Sequence, residues 1–404
     1  MNVPILNRYL LGLATFICYT LFSVTWKAGD IIISNMDYDV NSLGTLSATL
    51  IIVKVFTNIL AGVITAKFMK EKLFLKQTQL FMFGSILLGV AIFTMTLSDN
   101  FMVLTLARAG TGMGGAFVLF AMNPLVSYSF PENELPIING INMSGFNIGI
   151  ALMLSLSVYM TNHTEQVVNI VVVLLAIFTV VFWFANRPST AHMKNRLEKI
   201  GDSSQEVDDS DEEPWGFKDA LTNRFNWIFA VALTGVQAFY YVAFTFLDEG
   251  AVSYMLYAGV IGNILGIFGA KAMRHLVVVR VCSIISFALA IVFMTNLDVP
   301  MIKYVAMVLG GVMFFALPSY ITLGFSQDDA TPKKIGFTFM MLWFVSDVVA
   351  SIFLKIYAYL TSVPELASTA VFFILGVNSL FLIGAFLMKF KKKESPELEA
   401  ATES

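Results

Sequence analysis

The chain has 404 residues, of which 57% are hydrophobic and 13% charged, and its formal net charge is −3. A soluble globular domain carries about 25% charged residues, so this composition excludes a protein that is covered by a charged surface. Lipid must solvate much of the chain. The two cysteines and three histidines form no disulfide or metal-ligand pattern, so we expect no metal and no other cofactor.

Twelve apolar segments along the chain are long enough to cross a bilayer as helices, which takes about 20 residues. Strands of a membrane barrel would alternate between apolar and polar residues, whereas these segments are continuously apolar. The sequence therefore predicts an all-α integral membrane protein with spans near residues 9–33, 43–66, 77–97, 101–128, 136–160, 166–185, 225–247, 252–272, 277–296, 301–324, 335–359 and 367–388.

Basic residues predict the orientation of these spans, because Lys and Arg accumulate in cytoplasmic loops. With the N-terminus inside, 20 of the 25 Lys and Arg residues fall in inside segments and only Lys303 falls outside. The other four lie within spans. We therefore expect both termini in the cytoplasm and place the protein in a bacterial inner membrane.

A hydrophilic stretch at 187–224 separates six spans from six. It predicts an N-terminal bundle (1–186), a cytoplasmic linker (187–224), a C-terminal bundle (225–390) and a cytoplasmic tail (391–404). The pattern G-x-x-x-A-K-x-M-[KR] starts at Gly62 after the second span and again at Gly266 after the eighth. This repeat, with similar Gly-Gly pairs in spans 4 and 10, predicts two parallel six-helix repeats with a site at their interface.

The segment from Gly62 resembles the loop signature of the major facilitator superfamily, G-x-x-x-D-R-x-G-R-[RK], with Ala66 in place of the acid and Met69 in place of the second glycine. Arg108-x-x-x-Gly112 resembles a second signature of that family. The resemblance covers nearly the whole chain and implies two pseudo-symmetric six-helix bundles that work by alternating access. It also implies a gating role for the loop residues Gly62, Lys67, Lys70, Gly266, Lys271 and Arg274.

Lys271, Arg280 and Lys303 fall near the ends of predicted spans and are counted with the loops. Six further ionisable residues lie within the predicted spans, where each costs about 2.5–3.5 kcal/mol to insert. Residues this costly are functional or paired. They are Lys27, Asp30, Lys54, Arg108, Asp347 and Lys355.

The first span predicts a local pair. Lys27 and Asp30 are three residues apart, share a helix face and can pair. They form either a structural ion pair, or an outer gate or the edge of the site. Lys54 is too deep to reach the interface, so it either faces the cavity or pairs with Asp30 or Asp347. Arg108 can grip a carboxylate with its planar guanidinium, and the family resemblance implies proton coupling or substrate binding. We expect it to be needed for transport and not for folding.

In span 11, Asp347 has no basic residue within one turn, because Lys355 lies two turns on. Burial of this isolated carboxylate predicts a proton carrier, with Lys pairing as the alternative. Lys355 is near the outer end, where it either snorkels or joins the site.

In span 7, Gln237, Tyr240 and Tyr241 are polar candidates for the cavity. Weaker candidates are Asn123, Asn139, Asn142, Asn147, Asn263 and Tyr320.

Four positive and two negative groups within the spans favour an anionic or zwitterionic solute. We therefore predict a secondary transporter for a small polar metabolite, coupled to protons and directed inward. The alternatives are an exporter of drugs or siderophore-like metabolites and, in another class, a transport-inactive membrane sensor. The sequence contains no nucleophile–base set, so we do not expect an enzyme. We expect a monomer in lipid, with the substrate and protons as partners and no nucleic acid.

Overall fold

The computed structural model describes residues 4–36, 38–68, 73–130, 134–201, 217–247, 249–325 and 332–389. Within these ranges the chain is helical apart from short turns. In chain order the helices are α1 (Ile5–Ser34), α2 (Val40–Phe68), α3 (Leu73–Met95), α4 (Phe101–Ser129), α5 (Leu135–Ser155), α6 (Ser157–Asn162), α7 (Thr164–Gly201), α8 (Phe217–Thr222), α9 (Arg224–Phe246), α10 (Glu249–Ala272), α11 (His275–Thr295), α12 (Ile302–Phe325), α13 (Pro332–Ser362) and α14 (Ala367–Leu387).

Eleven helices in the described part of the chain are long and apolar enough to cross a membrane. The predicted fifth span, 136–160, corresponds to α5, Leu135–Ser155. The helix ends earlier than predicted because it breaks at Leu156, after which α6 begins. The prediction of an all-α membrane protein is confirmed.

The predicted linker at 187–224 is partly helical. Helix α7 continues from the membrane segment to Gly201, and α8 precedes the first helix of the second half. The extension of α7 contains Met193-Lys-Asn-Arg-Leu-Glu-Lys199, a run dominated by good helix formers that lets the helix continue beyond its apolar part. Residues 202–216 lie outside the described part.

The helices form two bundles that meet along two seams. Helices α1 to α7 pack among themselves and α9 to α14 pack among themselves, while α2 packs against α13 and α5 packs against α10 across the interface. The largest cluster of buried apolar side chains includes residues of both bundles, such as Trp26 and Leu354. The seams place the middle of α2 opposite the middle of α13.

Glycines allow equivalent helix pairs to approach closely in the two bundles. A Cβ on Gly112 of α4 would collide with the backbone carbonyl of Leu50 in α2, and one on Gly310 of α12 would collide with the carbonyl of Met255 in α10. These are spans 4 and 2 of one half and spans 10 and 8 of the other. The close approach of the same two spans in both halves agrees with the internal repeat, although Gly112 and Gly310 are not equivalent positions in it.

The topology leads to a labelling prediction. We call the end of the bundles that carries Asp99, Asn162 and Glu365, all exposed, the outer end. Single cysteines at these positions, in a background without Cys18 and Cys282, are expected to react with an impermeant thiol reagent in intact cells. A cysteine at exposed Arg274 is the inner control and should react only after permeabilisation. The reverse pattern would contradict the positive-inside orientation.

Candidate functional site

A buried ion pair joins the two bundles near the middle of α2 and α13. Nζ of Lys54 lies 3.1 Å from Oδ2 of Asp347. The hydroxyl of Tyr241 donates to Oδ1 of Asp347 at 2.8 Å, and Nε2 of Gln237 donates to the same oxygen at 2.5 Å. One carboxylate therefore binds a lysine of one bundle and two side chains of α9 in the other.

This geometry corrects the prediction that Asp347 is isolated. The nearest basic group along α13 is indeed remote, but Lys54 reaches Asp347 from the opposite bundle, 293 positions away in sequence. The alternative in which Lys54 serves as the partner of Asp347 is the one found here. Both side chains are almost fully buried, with exposed fractions of 7% and 2%.

Aromatic rings surround this pair. The Trp26 ring lies 5.5 Å from the rings of both Phe146 and Tyr241 and 5.7 Å from that of Phe244. Nζ of Lys54 sits 5.8 Å from the Trp26 ring centre, within the range of a cation–π contact. Trp26, Phe146 and Phe244 are not among the predicted site residues, because an aromatic ring in an apolar span resembles any other core residue.

A second polar contact crosses the interface beside the rings. The hydroxyl of Tyr240 donates to Oδ1 of Asn147 at 2.5 Å, which links α9 to α5. The three predicted polar residues of span 7 therefore lie together, Gln237 and Tyr241 on Asp347 and Tyr240 on Asn147.

Arg108 binds Asp30 inside the N-terminal bundle. Its guanidinium forms an ion pair with Asp30 and donates to the backbone carbonyl of Trp26 at 2.8 Å. The hydroxyl of Ser47 donates to Asp30 at 3.0 Å. The predicted pair of Lys27 with Asp30 is wrong, because Arg108 of α4 takes the carboxylate and leaves Lys27 to turn toward the other bundle.

The two remaining lysines lie toward the outer end. Lys27 donates to the carbonyl of Phe244 at 2.8 Å, and Lys355 donates to Oδ1 of Asn41 at 2.5 Å. Both bonds cross from one bundle to the other. Neither lysine contacts Asp347 among the described interactions.

The predicted gating residues at the inner end are only partly described. Gly62 and Lys67 belong to α2 and Lys271 belongs to α10, but the structure describes only their place in the helix. Lys70 lies wholly outside the described part. Gly266 packs on the backbone of Phe315 within its own bundle. Arg274 is exposed at the rim of an apolar cavity of about 350 Å³ between α11 and α12. Their gating role stays a prediction.

Two helical bundles with a charged, aromatic-lined site at their interface have the architecture of a membrane transporter. The family model of the Major Facilitator Superfamily matches residues 11–354, and the chain belongs to this superfamily. Among solved structures, the chain is similar to the crystal structure of the nucleoside transporter NupG, with a TM-score of 0.68 and 16% sequence identity over 96% of this chain and 100% of that chain. At this identity the likeness shows the fold. No curated protein matches the sequence.

Proposed function

We propose that the protein is a proton-coupled secondary transporter that takes up a small anionic or zwitterionic metabolite. The observation that carries the proposal is the ion pair between Lys54 and Asp347, which spans the two bundles near the middle of their helices. Sites of this kind lie near the bilayer midplane at the interface of the repeats. Alternating access would rock the bundles around it.

The pair offers a direct route to coupling. A proton on Asp347 would remove the negative charge that holds Lys54, and the freed ammonium could then bind an anionic group of the substrate. Conversely, a substrate anion on Lys54 would release Asp347 to accept a proton. Each binding event lowers the cost of the other, so proton and substrate bind with positive cooperativity.

The surplus of positive charge within the spans does not by itself indicate an anionic solute. Arg108 is matched by Asp30, and Lys27 and Lys355 are engaged toward the outer end. Support for an anionic group therefore rests on Lys54. In its protonated form Asp347 still has a carbonyl oxygen that can accept a hydrogen bond from an ammonium group, which is compatible with a zwitterion.

The aromatic lining favours a second candidate, an uncharged metabolite that carries a ring. Rings of the substrate would stack against Trp26, Phe146 or Tyr241, and the amide of Gln237 would bind polar ring atoms. NupG is described as a nucleoside transporter, and nucleosides carry such a ring. Export of drugs or siderophore-like metabolites is the alternative in direction.

Counterflow in proteoliposomes separates these candidates. Purified protein is reconstituted and tested with small organic acids, amino acids and nucleosides, first in exchange and then with an imposed pH gradient. The proposal predicts exchange of an acid or amino acid and its accumulation when the outside is acidic. Exchange of nucleosides alone would favour the second candidate, and export driven by an inward proton gradient would favour the exporter.

Tyr241→Phe tests the hydroxyl that donates to Asp347. A hydrogen bond to a charged group contributes about 1.5–3 kcal/mol, so we expect uptake to fall roughly tenfold at unchanged expression. Tyr304→Phe is the matched control, because Tyr304 is half exposed on α12 and away from the pair. Equal uptake by Tyr241→Phe and the control would remove Tyr241 from the site.

A further inference from the structure

Lys27 of the N-terminal bundle binds the end of a helix in the C-terminal bundle. Its Nζ lies 2.8 Å from the carbonyl oxygen of Phe244, which belongs to the last turn of α9. Carbonyls of a last turn have no partner within their helix, and the negative end of the helix dipole favours a cation there. The carboxylate of Glu249, at 3.8 Å, adds a weaker contact from α10.

Lys355 of the C-terminal bundle makes the reciprocal contact. Its Nζ donates to the carbonyl oxygen of Asn41 at 3.0 Å, to Oδ1 of Asn41 at 2.5 Å and to Oγ1 of Thr45. All three acceptors lie in the first turns of α2. Just before α2, hydrogen bonds from Ser42 lower the pKa of Asp39, and the positive charge of Lys355 acts in the same direction.

Two further contacts close the outer end around these lysines. A Cβ on Gly44 of α2 would collide with the Cβ of Ala358 in α13, so the two backbones nearly touch one turn from Lys355. On the other seam, the hydroxyls of Ser155 and Tyr257 lie 3.2 Å apart. The bundles are therefore in contact at the outer end along both seams and between α1 and α9.

We propose that Lys27 and Lys355 form the outer gate of the transporter, each locking the outer end closed by bonds to backbone and side-chain oxygens of the opposite bundle. When the bundles separate at this end, water replaces these acceptors and solvates both ammonium groups. The closed and open arrangements are thus both tolerable for a lysine, which is what a reversible gate requires. The inference rests on the proposed transport cycle and not on the identity of the substrate.

The placement of Lys355 argues against a role as substrate ligand. It lies eight residues from Asp347 along α13, about 12 Å at the rise of an α-helix. Its described partners are all on the outer part of α2. A positively charged side chain engaged there acts on the equilibrium between conformations.

Thiol labelling tests the gate without any substrate. Ser351, one turn deeper on α13 and 1% exposed, is replaced by cysteine as the outer reporter in a background without Cys18 and Cys282. Asn58, half-buried on the inner side of Lys54, is replaced by cysteine in a separate protein as the inner reporter. Lys355→Met is expected to raise labelling of the outer reporter by about tenfold, because this factor corresponds to the smallest loss expected when hydrogen bonds to a charged group are removed. Labelling of the inner reporter should fall.

Lys303→Met is the matched control, because Lys303 lies at the outer end against the rings of Tyr254 and Tyr304 of its own bundle; labelling should stay at the parental rate. An unchanged outer reporter in folded Lys355→Met would overturn the proposal. A rise in both reporters would also overturn it, since that indicates local unfolding.

If Lys355→Met does not fold, Asn41→Ala removes the acceptor on the Asn41 side chain and is measured in the same way. A shifted labelling pattern in a protein that moves none of the tested solutes would reject the proposed substrates and leave the gate intact.

Discussion

Asp347→Asn is expected to abolish proton-driven accumulation while substrate exchange continues. Asparagine keeps the shape of the side chain and an acceptor oxygen for Tyr241 and Gln237, but it can neither bind nor release a proton. Exchange needs only binding and rocking of the bundles, whereas accumulation needs the coupled proton. The measurement is uptake against a gradient in proteoliposomes with an imposed pH difference, compared with counterflow at equal pH on the two sides.

Asp347 is preferred to Asp30 as the coupling carboxylate because of where the partners lie. Arg108 belongs to the same bundle as Asp30 and moves with it, so rocking leaves that pair intact. Lys54 belongs to the bundle opposite Asp347, so the same motion changes the surroundings of this carboxylate. The change in protonation that transport requires is therefore more easily tied to Asp347.

Two comparisons make this result decisive. Asp298→Asn, an exposed position between α11 and α12, controls for the loss of one carboxylate and should accumulate substrate normally. Lys54→Met combined with Asp347→Asn removes both charges and tests whether an unpaired Lys54 harms folding of the single variant. Should Asp347→Asn still concentrate substrate with the parental pH dependence, the coupling role would pass to Asp30.

Arg108→Ala is expected to reduce both the amount of folded protein and uptake. The side chain is fully buried, and its removal leaves Asp30 without its cation. Breaking a buried ion pair in this way costs about 3–5 kcal/mol. This changes the expectation from the sequence that Arg108 is needed for transport and not for folding. Folded protein is measured by the monodisperse fraction after purification, and uptake is expressed per folded molecule.

A double variant separates the structural role of Arg108 from its role in transport. Adding Asp30→Asn removes the uncompensated carboxylate, so the amount of folded protein should partly recover. Uptake should remain low, because Arg108 also binds the backbone carbonyl of Trp26 at 2.8 Å, and this bond fixes the part of α1 that carries the ring. Arg187→Ala, which removes an exposed arginine, is the control. Normal folding and normal uptake in Arg108→Ala would reject both roles.

Hydropathy alone determined the class of the protein. A helix that crosses the membrane bonds its backbone groups internally and turns its side chains to lipid or to other helices. Each span is therefore visible in the sequence as an uninterrupted apolar segment. For the same reason the number of spans and their approximate positions could be predicted. The glycines of the spans also indicated close helix packing from the sequence, because a close approach of two helices excludes a Cβ at the contact. Polarity alone does not reveal the helical extension of α7, because the residues there are hydrophilic and yet favour helix.

Only the tertiary structure decided which charged groups meet. Every ionisable residue within the spans was identified from its cost in lipid, but its partner depends on which helix faces come together. Lys27 and Asp30 had a plausible local pairing, yet Arg108 lies closer in space to the carboxylate. Lys54 and Asp347 are separated by 293 positions, and no helical period relates residues across such a distance. The meeting of α2 with α13 brings them together, because the packing of whole bundles fixes that seam.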